Sequence, residues 1–395
     1  GQVFPEAAPG NFTYAEALDG WVWTTFYPFQ WDLNYSNPAV LAEMVQALLR
    51  LANRGVEVFR LDSTAFLWKR EGTSCMNQPE AHLLLQVIRA LVDIAAPGVL
   101  LKAEAIVPMR ELPAYFGSDA QPECHLAYHS TLMTAGWAAL AEQDTALLQE
   151  VVAATPPLTP GASWLTYVRC HDDIGWNVLR AEAGSEARLA TIAHFYANGG
   201  SFAAGVAFQT SAVRAVHGTN GAAAALAGIE TASDAGQCEL GLRRLLLLYG
   251  LALSFGALPV LYMGDELGMV NDHSYRDDAR RAHDTRWVQR APFDAQRFAE
   301  RGDASTVTGA LYRRLRELIA VRRRLAALAA DAPRSVLAGG PPALLALARG
   351  ARFLSLSNFS GEPLAVSLPG IQAGQWPGHG DDLVLQPWAM LWLER

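Results

Sequence analysis

Three carboxylates stand at the ends of short apolar runs, and their types and spacing could carry chemistry. Asp62 follows "VEVFRL", Glu104 follows "VLLKA", and Asp172 stands in "VRCHDD". Two carboxyl groups about 5–5.5 Å apart can perform a double displacement at a sugar carbon, in which one attacks the carbon and the other first donates and then accepts a proton. The sequence predicts this chemistry if the fold brings the acids together.

The neighbours of these acids fit the two roles. Arg60 stands two residues before Asp62, so both side chains lie on the same face of a strand, and a guanidinium there favours the ionised carboxylate that a nucleophile needs. The apolar Ala105 and Ile106 would favour the protonated form of Glu104 through desolvation. For any one of these sites alone, a helix cap or a plain salt bridge is the commoner role. The prediction therefore depends on all three acids occurring in this order.

The elements that must position the acids are strands alternating with helices. Apolar runs with polar residues at their ends occur at 56–62, 99–104, 124–129, 164–173 and 258–266, and helical patterns fall near 79–96, 131–150, 239–254 and 307–328. This alternation predicts βαβ units, a parallel sheet and a (β/α) barrel, whose active site lies at the carboxyl ends of the strands. An open doubly wound sheet is the alternative, but the chain has no GxGxxG phosphate turn.

Composition limits the classes of partner. The 395 residues are 51% hydrophobic and 18% charged, and the net charge of −8 argues against nucleic acid or an anionic membrane as a partner. No apolar run of about 18 residues predicts a membrane span. The four cysteines form no CxxC pair, so no zinc site is expected, and four buried thiols predict a reducing, cytoplasmic compartment. The start at Gly1 leaves secretion open.

Longer motifs carry a family resemblance. "FRLDSTAFLWK", "LLKAEAIV" and "VRCHDDIGW" resemble three signature regions of the α-amylase family of glycoside hydrolases. "LWKREGTSCMNQPEAH", "GALPVLYMGDELGMVND" and "DTRWVQR" resemble the sucrose-using branch of that family, the amylosucrases, and this likeness runs over essentially the whole chain.

The resemblance implies a role for each matching residue. Asp62 matches the nucleophile, Glu104 the general acid/base, and Asp172 the third acid, which holds hydroxyls of the ring being cleaved. The substrate-binding residues implied in the same way are Arg60 and His171 as supports, Arg286 at the floor of the glucose pocket, Phe26 beside the glucosyl site, and Asp173, Gln209 and Arg214 around the acceptor or fructose site. No metal and no organic cofactor are implied.

The implied function is a glucosyltransferase that moves glucose from sucrose to an α-1,4-glucan and releases fructose. The expected partners are therefore sucrose and an α-glucan acceptor, and the oligomeric state stays open. A sucrose hydrolase or another α-glucosidase on the same scaffold is the nearest alternative. A non-catalytic carbohydrate-binding relative, or an inactive fragment, is a further one.

The chain also departs from the family pattern. The family's aspartate–asparagine–histidine region after strand three has no counterpart here, so we expect a (β/α)8 barrel lacking its first three strands. The predicted parts are a remnant of the loop domain at 1–40, strands four to seven at 41–173, an inserted loop subdomain at 174–236, the end of the barrel with strand eight at 237–331, and a C-terminal antiparallel β domain at 332–395. Because such a barrel has raw edges, we expect this chain alone neither to fold stably nor to catalyse.

Overall fold

Two compact units make up the described part of the chain. The computed structural model describes residue 3 and residues 10–158, 160–197, 199, 201–209, 218–366, 368 and 383–395. The first unit contains residue 3 and residues 10–128, 158, 160–164 and 209, and the other described residues form the second.

The first unit contains a hairpin, two long helices and a parallel sheet. Its elements are β1 (Phe12–Ala15), β2 (Gly20–Trp23), α1 (Pro38–Ala52), β3 (Val58–Leu61), α2 (Pro79–Ala95), β4 (Leu100–Ala103) and β5 (Leu126–Tyr128). Strand β4 pairs in parallel with both β3 and β5. The predicted strands around 56–62 and 99–104 are thus confirmed as neighbours in a parallel sheet.

Apolar residues lie on two sides of helix α2, and the sequence periodicity did not show which side would be buried. Leu84 and Ile88 are buried, whereas Leu83, Val87 and Ile94 are exposed, the last by 81%. The helical pattern predicted near 79–96 includes all of these apolar positions. In the structure, only part of that pattern is covered.

The second unit is larger and mixed. Its helices are α3 (Ser130–Glu142), α4 (Ala146–Ala154), α5 (Arg180–Ala183), α6 (Glu186–Ala197), α7 (Ala223–Leu226), α8 (Ala235–Ser254), α9 (Ala295–Glu300) and α10 (Val307–Arg322). Its strands are β6 (Ser163–Tyr167, of which the last three residues belong to this unit), β7 (Ile174–Gly175), β8 (Val206–Phe208), β9 (Gly218–Asn220), β10 (Leu258–Val260), β11 (Arg334–Val336), β12 (Leu344–Arg349), β13 (Phe353–Asn358), β14 (Leu364–Ala365), β15 (Val384–Leu385) and β16 (Met390–Glu394).

Strands β6 and β10 pair in parallel, with Leu165 opposite Leu258. The single helix predicted near 131–150 is two helices, because Gln143 adopts a left-handed backbone that ends α3. The helix predicted to reach residue 328 ends at Arg322. The segment 174–236 contains the antiparallel sheet β7-β9-β8 and short helices.

The predicted C-terminal antiparallel domain is confirmed. Strands β11, β12, β13 and β16 form one antiparallel sheet in that order, and β14 pairs with β15. Its core contains Leu344, Leu354, Leu356 and Leu393. Within the described ranges, no helix has the length and apolar character that crossing a bilayer requires.

Candidate active site

Asp62 directly follows strand β3, and Arg60 lies within that strand. Nη1 of Arg60 pairs with Oδ1 of Asp62. The Asp62 side chain is 65% exposed, so solvent screens the pair and the ion pair contributes little to stability. An exposed carboxylate beside a cation is nevertheless well placed to meet an incoming ligand.

Glu104 follows β4 in the same way. Leu61 pairs with Ala103 in the parallel register, so the next residues along the two strands, Asp62 and Glu104, are neighbours. Adjacent strands lie about 4.8 Å apart, which suits the short carboxyl separation of about 5–5.5 Å used by retaining glycosidases.

Backbone N–H groups donate hydrogen bonds that hold the two strand ends together. The N–H of Glu104 donates to the carbonyl of Leu61 at 2.9 Å, and the N–H of Thr64 donates to the carbonyl of Glu104 at 3.0 Å. The N–H of Ser63 donates to Oε2 of Glu104 at 2.8 Å. The residue after Asp62 therefore holds the Glu104 carboxylate directly.

Phe26 lies on the segment that follows the β1–β2 hairpin. Its ring meets that of Phe66 edge-on, with the centroids 5.4 Å apart. Nζ of Lys69 and Oγ1 of Thr25 both contact Oδ2 of Asp32, each at 2.6 Å. Neither Asp32 nor Lys69 is predicted from the sequence, although Lys69 ends the quoted "FRLDSTAFLWK", because charged residues in loops do not show their partners.

In the second unit, Asp172 lies beyond the carboxyl end of β6 among three basic side chains. Oδ1 of Asp172 lies 3.2 Å from Nη1 of Arg286 and 3.4 Å from Nη2 of Arg290. Oδ2 lies 3.2 Å from Nε2 of His171. The structure thus brings together Asp172, His171 and Arg286, and it adds Arg290.

Arg286 is held by a second carboxylate. Its guanidinium makes a fork with Asp284, with Nη2 2.9 Å from Oδ2, and it lies 5.3 Å from the ring of Phe208. Burial alone would raise the pKa of Asp284, but the hydrogen bonds from Arg286 outweigh it and the pKa is lowered. Asp284 therefore stays ionised and orients Arg286 toward Asp172.

Buried polar groups also clamp the main chain at Asp172. Nη2 of Arg169 and Nε2 of Gln289 both donate to the carbonyl of Asp172 at 2.8 Å. Arg169 is 1% exposed and Gln289 5%. Both residues lie within the motifs "VRCHDD" and "DTRWVQR", but only the folded chain shows that they bind one carbonyl.

Asp173 sits in a tight polar niche. Burial, and then the charge of Asp172, raise its pKa to about 6. A Cβ at Gly218 would lie 2.1 Å from Oδ2 of Asp173, so only glycine fits there. Because a carboxyl with a pKa of about 6 is mostly ionised at pH 7, Asp173 mainly accepts hydrogen bonds there.

The sequence of the chain matches a known protein family. The family profile "Alpha amylase, catalytic domain" matches residues 2–199, about half of the chain. The chain belongs to the α-amylase family. Glucosylglycerate phosphorylase of Escherichia coli (strain K12) is 26% identical over 391 residues, which cover 94% of this chain and 66% of that protein. Trehalose synthase/amylase of Mycolicibacterium smegmatis is 33% identical over 269 residues, covering 68% of this chain and 41% of that protein.

Solved structures show the same α-amylase fold. Sucrose 6F-phosphate phosphorylase from Thermoanaerobacter thermosaccharolyticum superposes with a TM-score of 0.67 at 16% identity, covering 90% of this chain and 68% of that one. Isomaltulose synthase from Erwinia rhapontici NX5 gives a TM-score of 0.64 at 16% identity, covering 97% and 73%. The chain therefore has the TIM-barrel-like fold of α-amylase catalytic domains with an antiparallel C-terminal sheet. It spans about two thirds or less of the curated relatives named above.

Two further candidates implied by the family resemblance are Gln209 and Arg214. Gln209 is buried with a left-handed backbone, and it belongs to the first unit. Arg214 lies outside the described residues. Asp62 and Glu104 belong to the first unit and Asp172 to the second, so the convergence of all three acids stays a prediction.

Among the described residues, one group of side chains has the spacing of metal ligands. It consists of Cys170, His171 and Asp172, whose ligand atoms lie within 4.8 Å of one another. Burial, and then the charge of Asp172, raise the pKa of the Cys170 thiol to about 12. A protonated thiol is a poor ligand, and the carboxylate is already engaged by arginines. The site does not favour a cation.

Cys75 and Cys124 are buried as expected, whereas Cys170 and Cys238 are partly exposed, and all four are free.

Proposed function

We propose that the full-length protein is a glucosyltransferase of the amylosucrase type, which moves glucose from sucrose to an α-1,4-glucan and releases fructose. The observation that carries the reaction type is the pairing of Asp62 with Glu104 across adjacent parallel strands, joined by the Ser63 N–H. The motif resemblance supports sucrose as the donor, and the Arg286–Asp172 contact supports a polar floor in the glucose pocket.

In the first step, the Asp62 carboxylate attacks the anomeric carbon of the glucosyl ring. The bond from that carbon to the fructosyl oxygen breaks, and Glu104 delivers its proton to this oxygen, so that fructose leaves as a neutral alcohol. Because Oε2 of Glu104 accepts the Ser63 N–H, we assign the transferred proton to Oε1. The product of this step is a glucosyl ester on Asp62.

In the second step, the Glu104 carboxylate removes the proton of a glucan hydroxyl. The hydroxyl oxygen attacks the anomeric carbon and the ester bond to Asp62 breaks, which restores both acids. Two inversions retain the α configuration. Asp172, oriented by Arg286 and His171, would hold hydroxyls of the same ring.

A product assay with sucrose alone tests the proposal. Accumulation of insoluble α-glucan together with free fructose is the expected result for the full-length protein. Equal amounts of glucose and fructose would instead indicate a sucrose hydrolase. Glucose 1-phosphate formed on addition of inorganic phosphate would indicate phosphorolysis, the type of reaction for which the Escherichia coli relative is named. Absence of any turnover would favour a non-catalytic relative.

A further inference from the structure

The loop between β3 and α2, residues 62–78, contains unusual backbone conformations. Ser63, Cys75 and Asn77 all have positive φ, at 53°, 54° and 55°. Such conformations are strained for a residue with a side chain and persist only where the surroundings hold them. Asparagine tolerates this region better than most residues. The contacts of Asn77 show what holds the loop.

Asn77 joins two loops of the candidate site. Its N–H donates to the carbonyl of Ala65 at 2.7 Å, which closes the β3–α2 loop on itself just beyond Asp62. Its Nδ2 donates to Oε2 of Glu111 at 3.0 Å, and its Oδ1 accepts from the hydroxyl of Tyr115 at 2.7 Å. Glu111 and Tyr115 belong to the segment that follows Glu104.

Tyr115 is a permanent donor in this network. The residue is fully buried, and burial, followed by the charges of Glu123, Glu111 and Glu104, raises the pKa of its hydroxyl. The hydroxyl therefore keeps its proton across the working pH range.

Helix α2 provides the anchor. Nε2 of His82 lies 3.1 Å from Oδ1 of Asn77, and because an amide oxygen only accepts, Nε2 carries the hydrogen. Nδ1 of His82 lies 2.9 Å from Oε2 of Glu123, a residue that is 2% exposed. Oε1 of Glu123 accepts from Nε2 of Gln86 at 3.0 Å. Tyr115 and Glu123 are buried, so their hydrogen bonds are costly to break and favour one geometry.

We propose that Asn77 is a positioning residue that sets the spacing between Asp62 and Glu104. This inference rests on the proposed function, because it takes Asp62 and Glu104 as the two reacting acids. A displacement of Asn77 would move Ala65 and, with it, Thr64 and Ser63. The N–H of Thr64 binds the carbonyl of Glu104, and the N–H of Ser63 binds its carboxylate. No side chain of the network needs to touch the sugar.

The informative variant is Asn77→Gly in the full-length protein, because glycine accepts a positive φ without strain and removes only the side chain. Asn77→Asp keeps the shape but places a carboxylate against Glu111. The control is Asn53→Gly, at an exposed asparagine that follows α1.

Hydrogen exchange gives a readout that does not depend on activity. For Asn77→Gly we expect the amides of Ser63 and Thr64 to exchange at least about tenfold faster while amides of β4 and β5 are unchanged, since local opening is cheaper than global unfolding. The control should match the wild type. Unchanged exchange at Ser63 and Thr64 would overturn the proposal.

Kinetics with two glucosyl donors then distinguishes a positioning role of Asn77 from a general loss of structure. Fluoride leaves α-glucosyl fluoride with little help from an acid, whereas phenyl α-glucoside needs a placed proton donor. For Asn77→Gly we expect kcat for phenyl α-glucoside to fall roughly 10- to 100-fold more than kcat for the fluoride, with KM within about threefold, because a misplacement near 1 Å can cost about 10²-fold. Equal losses for both donors would refute positioning.

The two proposals fail separately. If the wild type uses the two synthetic donors but not sucrose, the proposed function is wrong and the comparison between donors still decides the role of Asn77. If the wild type turns over none of them, the exchange rates of Ser63 and Thr64 decide it.

Discussion

Nη1 of Arg286 lies 3.2 Å from Oδ1 of Asp172 while the same guanidinium forks onto Asp284. One cation thus connects Asp172, beyond the carboxyl end of β6, with Asp284, which directly precedes the short turn that begins at Thr285. Lysine could keep the charge but not the fork, because its ammonium has no planar pair of donors.

We therefore expect Arg286→Lys to lower kcat/KM for sucrose by about 10- to 100-fold, which corresponds to one lost hydrogen bond between charged groups at about 1.5–3 kcal/mol. Steady-state kinetics of the full-length protein checks this. Arg280→Lys is the control, because Arg280 is 86% exposed on the same segment and pairs with the nearby Asp278. Equal activity of the two variants would argue against a role for Arg286 at the sugar.

The nucleophile assignment predicts that Asp62→Asn lowers kcat by on the order of 10⁴-fold or more, because an amide cannot form the glucosyl ester. The fold should remain, since the Asp62 side chain is largely exposed. Asp93→Asn, at an exposed acid on α2 that pairs with Arg89, is the matched control. A covalent glucosyl adduct on Asp62, seen by mass spectrometry in the wild type, is the direct check. Turnover retained by Asp62→Asn would refute the assignment.

Asp265 predicts a pH dependence of stability. It is fully buried, the hydroxyl of Tyr249 lies 2.5 Å from its Oδ2, and burial raises its pKa from 3.8 to about 7. Between these pH values, the Asp265 carboxyl is ionised in the unfolded chain and protonated in the folded chain. The free energy of unfolding therefore falls as pH rises from about 4 to about 7. The contribution of this group is fully present below pH 4 and lost above 7.

We expect Asp265→Asn to flatten that slope by at most about 1.4 kcal/mol per pH unit, because asparagine mimics the neutral acid at every pH. Urea unfolding of the full-length protein at several pH values measures it. Asp119→Asn, at an exposed position, should leave the slope unchanged. An identical slope for Asp265→Asn would mean that Asp265 is ionised in the folded state.

The uncovered side of α2 supports the expectation that these 395 residues alone are not a stable unit. Leu83, Val87, Leu91 and Ile94 are all exposed, and Val58 on β3 is 45% exposed. Surfaces of this kind mark interaction sites or aggregation. We expect the 395 residues alone to bind a hydrophobic dye and to melt broadly, whereas the full-length protein melts sharply. Ile94→Lys should reduce dye binding by the isolated chain. A cooperative melt with sucrose turnover by the isolated chain would refute this expectation.

Much of the architecture could be predicted because periodicity is local. The five apolar runs, the helix from 79 and the C-terminal antiparallel sheet each follow from spacing that a few neighbouring residues determine. The motifs around Asp62, Glu104 and Asp172 also identify the family, since an acid at the end of each of three strands is a pattern along the chain.

Only the tertiary structure decided which side chains and carbonyl groups are within hydrogen-bonding distance of each other. The clamp of Arg169 and Gln289 on the Asp172 carbonyl joins residues more than 100 positions apart. The network of Asn77, Tyr115 and His82 crosses three elements. A hydrogen bond depends on distances of about 3 Å, and no spacing along a chain specifies those when the partners come from different loops. The sequence by itself determined which acids could react, and the fold decided what holds them in place.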